Sequence, residues 1–142
     1  GGVEAATVGD VQQAGVFGGV FYTDPTTSKP TWSAYYPAST NATDLKASIY
    51  MDPNLIFEAQ HDETGTAALN FATGNFVGTS GSTVTGQSTQ ELDTSTFGTT
   101  AEGLKQVGIS TDPDNSDTST ANCNAYVVFN QEEHVFTFAT GI

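Results

Sequence analysis

Both histidines of the chain stand in short acidic clusters, His61-Asp62-Glu63 and Glu132-Glu133-His134. Imidazole beside carboxylate is the raw material of a zinc site or of general acid–base catalysis. The spacing argues against either use. Neighbouring residues on a strand point to opposite faces, so a contiguous run does not converge on one ion. Both clusters follow strand-like runs, where polar residues belong in any case. Asp112, Asp114, Ser116 and Asp117 resemble the opening of a calcium loop, but an EF-hand requires Gly at its sixth position and Glu at its twelfth. Those positions hold Asp117 and Cys123, so an acidic turn is expected. Hydrolysis by paired carboxylates needs two acids across a cleft, one with a raised pKa. The chain has 16 acids and its sequence singles out none of them. There is no GxSxG elbow, and Cys123 lacks the neighbours of a nucleophile. No enzymatic activity, cofactor or metal is expected.

Trp32, Tyr35 and Tyr36 offer a different chemistry. Aromatic rings on a strand stack sugars or anchor protein interfaces. With a period of two, Trp32 and Tyr36 share one face and Tyr35 takes the other. A protein interface is the expected use, with carbohydrate binding as the alternative. A second candidate contact is Thr83-Val84-Thr85, within the segment 78–90, which is nearly all Gly, Ser and Thr. Such a segment could lie along a neighbour and donate backbone hydrogen bonds as an added strand does.

The elements that must carry these residues are strands. Val3–Thr7, Gly15–Thr23, Thr31–Tyr36, Lys46–Met51, Leu55–Gln60, Gln90–Asp93, Leu104–Ser110, Ala125–Asn130 and Val135–Phe138 are β-branched and aromatic runs bounded by Gly, Pro, Asn and Asp. Gly18-Gly19 predicts a bulge or a close backbone approach. Leu55, Phe57 and Ala59 alternate with Ile56, Glu58 and Gln60. Residues 66–71 fit a short helical turn or a strand, and 111–122 fit a polar loop. Val16, Val20, Ile49, Phe57, Val107, Ile109, Val127 and Phe129 are the expected core. No helical periodicity exceeds two turns. The fold class is therefore all-β, a compact β-barrel or β-sandwich of seven to nine strands with long polar loops, in a single domain spanning 1–142.

Charge narrows the partners. Lys29, Lys46 and Lys105 are the sole cations and the formal net charge is -13. Phosphate contacts need clustered Lys and Arg, so neither nucleic acid nor an anionic membrane is an expected partner. The acid excess suits a solvated particle surface or a basic partner. Cys123, the one cysteine, can form no intrachain disulfide. No apolar run approaches the ~18 residues of a membrane span, and no signal peptide is visible.

The stretch GVFGGVFYTDPTTSKPTWSAYYPAST, followed by IYMDPNLIFEAQ and later by GISTDPDN and NAYVVFNQEEH, resembles a family of small structural proteins of tailed bacteriophages. The resemblance runs roughly from Gly9 to His134. It implies a capsid decoration or cement protein on the capsid exterior of a virion. That protein binds the major capsid protein lattice and stabilises the head, with neighbouring copies of itself as further partners in a dimer or trimer. It also implies a segment upstream of Gly1. The alternatives are a tail or neck structural protein and a carbohydrate-binding module of a virion or cell surface.

Overall fold

The computed structural model describes residues 13–79, 81–132 and 134. Nine strands run through them: β1 (Val16–Thr23), β2 (Pro30–Ser33), β3 (Lys46–Tyr50), β4 (Phe57–Gln60), β5 (Thr73–Gly74), β6 (Phe76–Val77), β7 (Glu91–Leu92), β8 (Leu104–Ile109) and β9 (Asn124–Phe129). Helical structure among the described residues is limited to two 3-10 turns, Ala67–Leu69 and Thr94–Thr96. The all-β expectation holds. The sheets are open and antiparallel, with orders β2-β1-β3, β4-β9-β8-β5 and β6-β7, and no barrel closes among them. The expected strands over 3–7 and 135–138 lie outside the described residues.

The core lies where the sheets meet. Leu92 of β7, Leu104 of β8, and Ala125, Val127 and Phe129 of β9 form its buried centre. Val16, Phe57, Ala59, Phe76, Phe97 and Ile109 close around it. Alternation explains β9, where Ala125, Val127 and Phe129 point inward and Asn124, Tyr126 and Val128 do not. It explains β4 equally: Phe57 and Ala59 turn to the core, while Ile56, Glu58 and Gln60 are exposed.

Two expectations are revised. Val107 is half-buried, not core: alternation from Leu104 turns Gln106 inward, and Val107 is the extra residue where the β8–β9 register shifts between Gln106 and Gly108. Gln106 is fully buried, and past the bulge Ile109, opposite Ala125, returns to the core side. Ile49 is also half-buried, since β3 is the outer strand of its sheet. The Asp52-Pro53-Asn54 turn is built as an Asx turn, with Asn54 N donating to Asp52 Oδ1 at 2.9 Å and Leu55 N to Asp52 O at 3.2 Å. It carries the chain from the first sheet to the second, so β3 and β4 do not form a hairpin with each other.

Candidate functional site: an exposed aromatic sheet face

The residues with the best chemical credentials serve the fold. His61 is fully buried. Its Nε2 lies 2.9 Å from Gln106 Oε1, and its Nδ1 lies 3.1 Å from Thr94 Oγ1. Gln106 Nε2 already donates to Thr66 O at 3.0 Å and Asn70 Oδ1 at 2.9 Å. Gln106 Oε1 is therefore the acceptor, His61 carries its proton on Nε2, and the Thr94 hydroxyl donates to Nδ1. Burial pushes the His61 pKa down, favouring this neutral form. Asp62 faces away and accepts from Thr94 N at 3.0 Å. His134 is buried with its ring centroid 5.3 Å from that of Phe129, and burial lowers its pKa too. Glu133 lies outside the described residues.

The acidic loop behaves as turns do. Asp112 accepts from Asp114 N at 3.1 Å and from Asn115 Nδ2 at 2.9 Å. Asp117 accepts from Ser119 N at 2.8 Å and from Ser119 Oγ at 2.6 Å. These bonds, with the Asn115 and Ser119 side chains foremost, hold both carboxyls below the usual carboxylate range. Cys123 is buried with its thiol 3.4 Å from Gly65 O. Among the described residues no group of three or more His, Cys, Asp or Glu could hold a metal ion.

Among the described residues, exposed aromatic rings gather on the outer face of the β2-β1-β3 sheet. Phe21 is the cross-strand partner of both Trp32 and Lys46, so the three side chains share one face. Phe21 and Trp32 are 52% and 53% exposed, with ring centroids 6.4 Å apart and planes tilted by 57°. Tyr50, 56% exposed, ends the row along β3. Gly18 and Gly19 make room for these rings. A Cβ on Gly19 would stand 2.9 Å from the Trp32 indole and from Ser33 O, and one on Gly18 would stand 2.6 Å from the Tyr50 ring. Gly19 also has φ +133, a conformation that side chains rarely adopt. The β1–β3 register shifts between Phe17 and Gly19, so the expected bulge is present.

Phe21, Trp32, Pro30, Asp44 and Lys46 line a shallow groove of about 350 Å³. Asp44 is fixed at its rim by Thr23, whose N and Oγ1 donate at 2.9 and 2.6 Å. Those bonds, the hydroxyl's foremost, hold the Asp44 pKa below its ordinary value.

The expected platform of Trp32 with Tyr36 does not form. β2 ends at Ser33, whose Oγ accepts from Tyr35 N at 3.3 Å and turns the chain. Tyr36 then packs edge-on to buried Tyr22, centroids 5.8 Å apart. Tyr22 points to the opposite face from Phe21, so Tyr36 and Trp32 lie on different sides of the sheet. Tyr36 Oη also donates to Thr40 O. Tyr35 is brought to the other candidate segment: its Oη donates to Val84 O at 3.0 Å, and Ala38 N donates to Thr83 O at 2.9 Å. Residues 82–87 are not extended. They close on themselves through Gly86 N to Ser82 O at 2.8 Å and Ser82 N to Gln87 O at 2.9 Å. Ser82 Oγ also accepts from Thr85 N at 3.1 Å, and Val84 is exposed at the tip.

Sequence reasoning missed Phe21 and Tyr50 as members of the site. The signal was Gly18-Gly19, a bare patch in an aromatic sheet on which larger rings can lie. Comparison with family models, with curated proteins and with solved structures gives no match. The fold and site define an all-β protein with an exposed aromatic sheet face among the described residues.

Proposed function

We propose that this chain is a virion structural protein of the capsid decoration or cement type, docking on the outside of the major capsid protein lattice through the Phe21–Trp32 face. The observation that carries the reading is the exposed Phe21, Trp32 and Tyr50 row, laid over glycines on a three-stranded sheet. Exposed aromatics grouped on a rigid element mark interaction surfaces and concentrate binding energy. The stretch that carries the phage-family resemblance builds this same face, since β1 and β2 lie within it. The role requires no catalytic step. Weak contacts repeated over a lattice yield strong avidity.

The test is co-sedimentation of the protein with emptied, protein-stripped heads, compared with free capsid subunits. Heads are expected to bind better. Trp32→Ala is expected to cost about 2 kcal/mol, roughly thirtyfold in affinity. Failure to bind heads, with virion imaging that places the protein on the tail or neck, sinks the decoration reading. The groove favours one other reading, a carbohydrate-binding module, because Trp32 stands beside the polar groups of Asp44 and Lys46. Glycan-array binding lost in Trp32→Ala, by a protein that ignores heads, would establish it.

A further inference from the structure

β3 is the outermost strand of its sheet, and Lys46, Ala47, Ser48 and Tyr50 are all exposed. β1 takes its inner edge, and no backbone hydrogen bond among the described residues reaches its outer one. An open edge is a template for another strand. The sequence along this one is self-complementary. We propose that two copies of the chain pair antiparallel through β3, about a two-fold axis at Ile49, and fuse their sheets into one six-stranded surface.

Charge selects the register. A two-fold axis perpendicular to the sheet sets each residue opposite the one equally far beyond the axis. Centred on Ile49, Lys46 faces the partner's Asp52, and the second Lys–Asp pair forms by symmetry. Ser48 then faces the partner's Tyr50, and Ala47 the partner's Met51. Moving the axis to Ser48 would set Asp44 against the partner's Asp52, a like-charge pair that destabilises. Lys46 is one of three cations in a chain of net charge -13. An edge lysine ordinarily repels an incoming strand; here Asp52, in the turn just beyond β3, keeps Oδ2 for the partner's lysine while its Oδ1 holds Asn54. Lys46 shares the Phe21–Trp32 face, so pairing would set two aromatic rows side by side and double the surface offered to a partner.

Sedimentation of the full chain at about 0.15 M salt, where the Debye length is ~8 Å, reads the assembly directly. A dimer is expected. Lys46→Glu should weaken it by roughly tenfold or more, by turning two attractions into repulsions, and adding Asp52→Asn, which keeps the Asx acceptor while removing the repulsion, should recover part of the loss. Circular dichroism confirms that each variant folds. Ile49→Cys reads the register without charge changes. Residues directly opposite in an antiparallel pair are about 4.5–5.5 Å apart at Cα, within disulfide reach. Ile49→Cys should cross-link under mild oxidation, whereas Ala47→Cys, facing the partner's Met51, should not. A monomer at about 0.1 mM, or a dimer that neither cross-links at 49 nor responds to the charge swap, overturns the proposal. Head binding by a strictly monomeric chain would leave the lattice reading standing and remove this one.

Discussion

At the residue scale, the histidines trade reactivity for structure. Burial holds His61 below the ordinary histidine value of 6.5. His134 is displaced in the same direction by the same cause. As the pH falls, the unfolded chain therefore takes up protons first. The stability that neutral His61 contributes is complete above 6.5 and is lost as the pH drops from there through the folded value. Urea unfolding at pH 7.5 and at pH 5.5 should show the lower stability at pH 5.5, and His61→Gln should reduce the difference. Equal midpoints would contradict the neutral Nε2–H assignment. Phe71 presents the opposite case: a bulky residue held at φ 69 with its side chain 75% exposed. Its backbone N donates to Gln106 O at 2.8 Å, which fixes the conformation while the ring gains little burial. Left-handed backbone costs an L-residue about 1–2 kcal/mol, and Asn tolerates it best after Gly. Phe71→Asn should therefore raise stability by about 1 kcal/mol in denaturant titration.

At the scale of the element, β1 determines what its neighbours can display. The adjacent glycines make separable predictions. Gly19→Ala introduces a Cβ 2.9 Å from Ser33 O at φ +133, against backbone that has no room to yield. It should destabilise by about 1–3 kcal/mol and, on the proposed docking role, lower head binding by displacing Trp32. Gly18→Ala meets only the outer part of the exposed Tyr50 ring, and its φ carries no such strain. It should stay within about 1 kcal/mol of the parent. Chemical denaturation of the two variants side by side checks the contrast; equal costs would mean that the rings do not depend on the bulge. The bulge in β8 works inward instead. It returns Ile109 to the core side opposite Ala125, while Gln106, just before the bulge, bonds His61.

At the scale of the whole molecule, charge and shape act together. A chain of net charge -13 repels other acidic surfaces at long range. If it docks on basic capsid ground, association is steered electrostatically. The on-rate onto heads should then fall several-fold between about 0.05 and 0.5 M salt, while the off-rate, governed by buried aromatics, changes little. Stopped-flow or surface-binding kinetics separate the two. An on-rate that rises with salt would show that the capsid surface is itself acidic at the contact.

The sequence determined the element types by itself. Period-two alternation and β-branched runs are local properties, and β1, β4, β8 and β9 lie where those patterns put them. Local rules also settled the acidic loop, because an Asx turn closes within a few residues. What only the tertiary structure decided is which face of each strand meets what. Trp32 and Tyr36 have the spacing of a shared face, yet a hydrogen bond from Tyr35 N to Ser33 Oγ ends the strand between them. Val107 has the look of core, yet it is the extra residue of the β8 bulge, and Gln106 before it faces inward. His61 and Gln106 are 45 residues apart, and no local pattern pairs them. Strand type is encoded in near neighbours, whereas register, bulge phase and cross-sheet partners are fixed by contacts distant in sequence. The exposed aromatic face belongs to that second class, because Phe21, Trp32 and Tyr50 become one surface only when three strands are laid side by side.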